Sequence, residues 1–354
     1  MTQIDREKPV MVSGATGYVA GWIVKKLLDE GLTVHAAVRD PGNAEKLKYL
    51  NALAEKSEGT IKYFKSDLLD EGSYAEAMEG CELVYHTASP FTMEVKDAQK
   101  ELIEPAMLGT RNVLEQASKT ESVKRVVVTS SYVAIFGDNV DVKDTPRGVF
   151  DEEVWNTTSS IDHMPYAYSK VLAEKEGWRV CGEQNRWDMV TINPAFVIGP
   201  GINPFGSSES FSLIKMMGDG TLKTGAPRYG VGVVDVRDVA EAHYKAGFMP
   251  EAKGRYMVVS EGTDFVEMTK ALLPKYGDDY AIPRRALPKW LVWLVGPLVD
   301  KMMTRKLISK NVNVPWLGDN RKSKEELGLT YRPMAESMCD FFEQLVEYEV
   351  IKKA

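Results

Sequence analysis

The chain has 354 residues, a formal net charge of −7, 44% apolar and 27% charged residues. That length supports one large or two intimate domains around a substantial core, and the acidic balance, with no basic tail, argues against general nucleic-acid binding. Cys81, Cys181 and Cys339 are odd in number and widely spaced; they fit free thiols in a reducing compartment, offer no metal site and, with the polar start MTQIDREKP, point to a cytoplasmic protein.

The first element is the short apolar run Val10-Met11-Val12, which reads as a buried strand. Gly14, Gly17 and Ala20 follow at three-residue spacing, and then a helical pattern places Val19, Ile23, Leu27 and Leu28 on one face. Gly31 stops that helix, and Leu32 to Val38 reads as a second strand. A strand, a glycine turn, a helix and a strand make the context of a dinucleotide site. Glycine lets the backbone approach a pyrophosphate, and the helix N-terminus offers that anion unpaired N–H groups. Gly14, Thr16, Gly17, Tyr18 and Val19 are therefore candidate cofactor contacts.

The end of the second strand selects the cofactor. An NAD enzyme places Asp or Glu there to bond the ribose 2′-OH. Here the first polar group is Arg39, a forked cation suited to a 2′-phosphate, with Lys46 one turn into the next helix as a second cation. Asp40 is the competing group. The balance favours NADP(H) over NAD(H).

Farther on, Asn43 to Lys56 reads as a helix, and Ile61 to Phe64 as a third strand ending at Asp67-Leu68, which are placed near the adenine; Asp67 has an N-cap for the helix from Gly72 to Met78 as its alternative. Glu82 to His86 is a fourth strand leading into Thr87-Ala88-Ser89, where an open α/β sheet faces its cofactor. His86 reads as a packed, hydrogen-bonded histidine. Phe91 lies just beyond and is a candidate substrate contact. Asp97 to Lys119 forms a long helix, and the nearly continuous apolar run Val123 to Thr129 reads as a buried parallel strand running into Ser130-Ser131. Asp138 to Met164 reads as a surface excursion.

Tyr166 and Lys170 are four residues apart and share a helix face. A hydride arriving at a carbonyl leaves charge on oxygen, which must be held and protonated. A tyrosine can give the proton, and a nearby ammonium eases its loss. Ser131 can bond the carbonyl oxygen. Asp188 to Val197 is a sixth strand, and the loop Gly199 to Ser210 marks a boundary. Val231 to Val236 is expected to return to the sheet, followed by a helix from Asp238 to Phe248. A closing helix runs from Met334 to Tyr348. The segment Leu287 to Met303 is unusually apolar; packed core is its first reading, with a pocket cap or a membrane or dimer contact as alternatives. Its run from Trp290 to Val299 is about ten residues, against about 20 needed to span a bilayer.

The segments VSGATGYVA, HTASPF, VVVTSSYVAIF, YAYSK, NPAFVIGP, DVRDVAEAH and NRKSKEELGL span nearly the whole chain. In that order they resemble the extended short-chain dehydrogenase/reductase family, and within it the NADPH-dependent aldehyde and ketone reductases related to yeast methylglyoxal reductase and plant dihydroflavonol reductases. The resemblance implies Ser131, Tyr166 and Lys170 as the catalytic triad and Arg39 and Lys46 at the 2′-phosphate. It also implies Pro194 and its neighbours, Val197 included, against the nicotinamide, and Phe136 and Phe196 along the substrate. Where some relatives carry an asparagine just before Gly109-Thr110, this chain has Ala106, Met107 and Leu108.

The expected fold is α/β: a Rossmann-like doubly wound parallel sheet over residues 8–200, with 228–248 returning to it, and a smaller substrate-binding region from 201–227 and 249–354. The expected activity is NADPH-dependent reduction of an aldehyde or ketone by a monomer or homodimer, with no nucleic-acid partner. The competing readings are a nucleotide-sugar epimerase or dehydratase holding NAD, and a non-catalytic NADP-binding protein.

Overall fold

In the computed structural model, which describes residues 1–89 and 97–353, the buried run Val10–Ser13 forms β1 and Tyr18–Asp29 forms α1. The chain then alternates: β2 Thr33–Val38, α2 Ala44–Ala54, β3 Thr60–Lys65, the single turn α3 Ala75–Met78, β4 Leu83–His86, α4 Glu104–Lys119, β5 Arg125–Thr129, α5 Pro165–Gly182 and β6 Asp188–Pro194. These strands lie parallel in the order β6-β5-β4-β1-β2-β3, so the chain reverses direction across the sheet between β1 and β4. That switch point opens a crevice at the strands' carboxyl ends, where ligands of such sheets bind.

Alternation along each strand builds both layers. Val10 and Val12 of β1 join one apolar cluster with Ile23, Val24 and Leu27 of α1, while Met11 between them joins a second with Val113 and Leu114 of α4. Val127 of β5 sides with the first, Val126 and Val128 with the second. This is the Rossmann-like α/β fold the sequence implies.

The remaining elements are β7 Phe196–Ile198, α6 Glu209–Gly218, β8 Ala226–Pro227, β9 Gly230–Asp235, α7 Val236–Phe248, β10 Gly254–Val258, β11 Glu261–Asp264, α8 Phe265–Tyr276, β12 Ala286–Leu287, α9 Lys289–Val299, α10 Arg305–Asn311, α11 Arg321–Glu326 and α12 Met334–Glu347. One expectation fails here. The strand that extends the main sheet beyond β6 is β10, in parallel register from Gly254 opposite Val190 to Val258 opposite Pro194. The run Val231–Val236 instead supplies β9 of a separate three-stranded sheet, β11-β9-β7. Both runs are short and begin at a glycine, and Arg255 makes β10 look the less buried of the two, so local pattern does not single it out as the sheet strand. Helix α7 does return to the main layer, where Val239, Ala240 and Ala242 share the cluster of α1.

The excursion from Asp138 to Met164 is not superficial either. Asp138 is fully buried and accepts hydrogen bonds from Asn311 Nδ2 (2.7 Å) and Lys310 Nζ (2.9 Å), and it pairs with His163 Nε2 (2.8 Å). Polar residues that look like loop in sequence are thus tied to α10.

A third apolar cluster, with Phe211 of α6, Met268 and Leu272 of α8 and Phe341 and Phe342 of α12, carries the smaller region. It meets the first glycine turn directly. Tyr18 lies edge-on to Phe211 with centroids 5.3 Å apart, and Trp22 Nε1 donates to the Pro200 carbonyl at 2.7 Å. The three cysteines are free thiols.

Candidate active site

The crevice is built outward from β1. Gly14 has φ +63, a left-handed conformation that favours glycine. A Cβ there would come within 3.1 Å of Ala88 Cα and Cβ, so the turn and the end of β4 touch only because position 14 has no side chain. Ser13 fastens the same junction: its Oγ accepts the N–H groups of Thr87 (3.0 Å) and Ala88 (3.1 Å). No side chain caps α1, whose first turn therefore presents its N–H groups beside Thr16 and Gly17. These are the features an anionic pyrophosphate requires. Val19 follows in the same turn. The side chain of Tyr18 is committed elsewhere, donating to the Gly199 carbonyl at 2.5 Å, so its main chain alone faces the turn.

At the end of β2 the guanidinium of Arg39 and the ammonium of Lys46 are exposed and have no hydrogen-bond or carboxylate partner among the described residues. Asp40, the competing group, turns back to accept the Gly42 N–H at 2.9 Å. The strand end is left with two available cations and an engaged acid, which suits a 2′-phosphate. Asp67 likewise folds on itself, accepting the Leu69 N–H at 2.9 Å rather than capping a helix. Leu68 fills the space at Gly109, where a Cβ would lie 2.3 Å from its Cγ.

Helix α5 carries Tyr166 and Lys170. Pro165 opens it and Met164, at φ 57, turns the chain into it. A non-glycine residue in this conformation costs energy, on the order of 1–3 kcal/mol, and such strain gathers at functional sites. Lys170 Nζ lies 5.5 Å from the centroid of the Tyr166 ring and donates to Ser89 Oγ at 2.9 Å. One ammonium thus joins the phenol to the loop after β4. Ser131 caps the single turn Tyr132–Ala134, which packs on α5. Pro194 is buried at the end of β6, with Val197 half-buried just beyond it.

Electrostatics follow from depth. Tyr166 is 38% exposed, yet the protein around its hydroxyl raises the phenol above its ordinary range, helped by Glu209. It therefore stands protonated at neutral pH, the form a proton donor needs. Burial pushes Lys170 down to about 8. His86 is driven down to about 3, by burial first and then by Lys170, and packs against Ser13 Oγ through Nδ1 at 3.0 Å. It is neutral and structural.

The depressed lysine has a measurable consequence. Folded Lys170 holds its proton less tightly than in the unfolded chain, where its value is 10.5. The cost of burying its charge is complete below pH about 8, shrinks from there to about 10.5 and is gone above. Lys170→Met should remove that cost, so the variant should be more stable than the parent at pH 7 by roughly 2–3 kcal/mol. Chemical denaturation across pH should show the advantage vanishing towards pH 10.5. An advantage that persists there would mean that desolvation is not what holds the lysine down.

Two residues that sequence reading missed, Glu174 and Arg255, lie behind the expected triad of Ser131, Tyr166 and Lys170. Glu174 is one turn beyond Lys170 on the same face and fully buried; its carboxylate accepts from Ser130 Oγ (2.5 Å), Asn193 Nδ2 (2.7 Å) and Arg255 Nε (2.6 Å). Asn193 in turn donates to the Ser131 carbonyl at 3.1 Å. Arg255, on β10, also donates to the carbonyls of Val154 (2.7 Å) and Glu152 (2.9 Å). The four-residue spacing from Tyr166 to Lys170 to Glu174 was visible; the partner on β10 was not.

The substrate residues divide. Phe136 is 5% exposed, stacked on Phe150 with centroids 4.4 Å apart, and belongs to the core beneath the site rather than its wall. Tyr132, which meets Phe136 edge-on at 5.0 Å, lies within electrostatic reach of Tyr166, Tyr229 and Glu209. Phe196 is half-buried against the third cluster. Phe91 lies outside the described residues. No cluster of metal-ligating side chains occurs among the described residues.

Residues 10–260 match the model of the NAD dependent epimerase/dehydratase family. The chain is 36% identical over 341 residues to a cinnamoyl-CoA reductase of Medicago truncatula, covering 96% of this chain and 95% of the relative. It is 35% identical over 290 residues to a bifunctional dihydroflavonol 4-reductase/flavanone 4-reductase of Malus domestica, covering 79% and 80%. Among solved structures, Gre2 of Candida albicans in complex with NADPH superposes with a TM-score of 0.75 at 28% identity, covering 96% of this chain and 99% of that one. The yeast methylglyoxal/isovaleraldehyde reductase Gre2 with NADPH gives 0.76 at 26%, covering 97% and 99%.

Proposed function

The chain belongs to the NAD dependent epimerase/dehydratase family and is an NADP-dependent oxidoreductase acting on carbonyl and alcohol groups; from that premise we propose that it reduces an aldehyde or ketone to the alcohol, with Tyr166 as the proton donor. The observation that carries the proposal is the position of Lys170, whose ammonium stands beside the Tyr166 ring and bonds the loop that closes on Gly14.

NADPH, when bound, supplies the hydride. Gly14, Gly17 and the uncapped start of α1 would hold its pyrophosphate, and Arg39 with Lys46 its 2′-phosphate. Ser131 bonds the substrate oxygen and orients it. Tyr166 passes its hydroxyl proton to that oxygen as charge develops there, and Lys170 stabilises the phenolate left behind. Pro194, buried at the end of β6, would lie against the nicotinamide. The aromatic wall of Tyr132, Tyr229 and Phe196 favours carbonyl compounds with an apolar or aromatic body.

The test is stoichiometric loss of NADPH absorbance against a panel of aldehydes, diketones and flavanonols. An epimerase would turn over without net consumption of added NADPH, and a non-catalytic binder would consume none. In the same assay, Arg39→Ser should raise the KM for NADPH roughly 10- to 100-fold, since a bond to a charged group contributes about 1.5–3 kcal/mol, and leave NADH kinetics unchanged. An equal effect on both cofactors would remove Arg39 from the 2′-phosphate.

A further inference from the structure

Helix α9 is expected from sequence to pack as core, and it does not. Of the sixteen large apolar side chains exposed on the described chain, seven fall between positions 290 and 302. Trp290 is 68% exposed, Leu298 84% and Val299 80%. Trp290, Leu294 and Leu298 stand four residues apart and line one outward face. The inward face is thin: Val292 is the only buried side chain of the helix, and Gly296 lies against Ile308 of α10, whose Cδ1 would be 3.0 Å from a Cβ there.

The charges carried by this segment are mostly basic. Between positions 284 and 310 there are seven basic residues and a single acid, Asp300, in a chain whose net charge is −7. Arg284 faces Asp278 and Lys310 is paired with Asp138. Arg285, Lys289, Lys301, Arg305 and Lys306 have no carboxylate partner among the described residues; Arg305 instead lies over the Trp293 ring, 4.5 Å from its centroid. An exposed apolar face bearing two tryptophans and rimmed by unpaired cations is the pattern of a helix lying in a membrane interface.

We propose that α9 docks this chain on an anionic lipid surface, with Trp290, Leu294 and Leu298 seated at the headgroup–acyl boundary and Lys301, Arg305 and Lys306 on lipid phosphates. A second copy of the chain fits the face less well. A two-fold interface would set the same cations against one another, whereas an anionic bilayer neutralises them. The helix is too short to span: among the described residues, no helix is long and apolar enough to cross a membrane. The proposal stands apart from the chemistry assigned to Tyr166 and holds whatever the substrate.

The experiment is co-sedimentation of the full chain with vesicles of equimolar phosphatidylcholine and phosphatidylserine, beside vesicles of phosphatidylcholine alone. Binding to the anionic vesicles at low salt is expected, with a blue shift of tryptophan emission and at least a tenfold fall in partitioning at high salt. Trp290→Glu with Leu298→Glu, and separately Lys301→Glu with Lys306→Glu, should each lower partitioning at least tenfold while NADPH consumption with a small water-soluble aldehyde is unchanged. Absence of binding, or binding to neutral vesicles that ignores salt, overturns the proposal. So does a parent that sediments as a dimer without lipid and becomes monomeric in the Leu298→Glu pair, because the face is then covered by a second copy.

Discussion

Tyr166→Phe should lower the turnover of carbonyl reduction by roughly 10²–10⁴-fold, the usual worth of a positioned proton transfer. The substitution removes one oxygen and nothing else of consequence. The Tyr166 hydroxyl makes no hydrogen bond to a described residue, so its loss leaves no buried partner unsatisfied. The ring stays beside Lys170, and the lysine keeps its bond to Ser89. Cofactor affinity, measured by fluorescence titration with NADPH, should match the parent, as should the melting temperature. The result that would sink the assignment is near-parental turnover in a variant that still binds NADPH. Loss of binding and turnover together would instead make Tyr166 a cofactor contact first.

The second large effect is on stability. Arg255→Met should destabilise the chain by about 3–5 kcal/mol, because it strands the Glu174 carboxylate in the interior with its main cation gone. Glu174 would keep only the neutral donors Ser130 and Asn193. A fall of roughly 10 °C in melting temperature is expected for a chain of this size. Replacing both partners, Glu174→Leu with Arg255→Met, should recover part of the loss, since no buried charge is then left unpaired. Two single losses that simply add in the double variant would show that the pair is not energetically coupled. The site should register the change as well. Asn193 holds the Ser131 carbonyl, so the Arg255→Met enzyme, assayed below its melting transition, should lose kcat by more than it gains in KM.

Much of this site is written locally in the chain. The glycine turn and the Tyr166–Lys170 spacing each occupy a few consecutive residues, and the parallel strands announce themselves by β-branched runs. What escaped is what depends on distant partners. Arg255 sits 81 residues from Glu174, and neither looks unusual alone. Phe136 is implied on the pocket wall by resemblance, but its ring is buried in the core against Phe150, a packing that short-range pattern does not reveal. β9 and β10 are both short runs that begin at a glycine, and they enter different sheets. α9 reads as core because a helix apolar on every side belongs inside, and only the fold shows that its outward face is left uncovered by the described residues.

The position of β10 bears on how the protein is made. The sheet that frames the crevice is finished by a strand that leaves the ribosome some 60 residues after β6, and Arg125 on β5 finds its carbonyl acceptors at Ala246, Met249 and Ala252 in the same late segment. Until those residues emerge, β6 is a bare, sticky rim and a buried guanidinium has nothing but Asp188 to bond. The nascent nucleotide-binding half is therefore an obligate client of its own downstream sequence, and gene fragments cut at the Gly/Pro/Ser loop after β7 would inherit that exposed rim permanently.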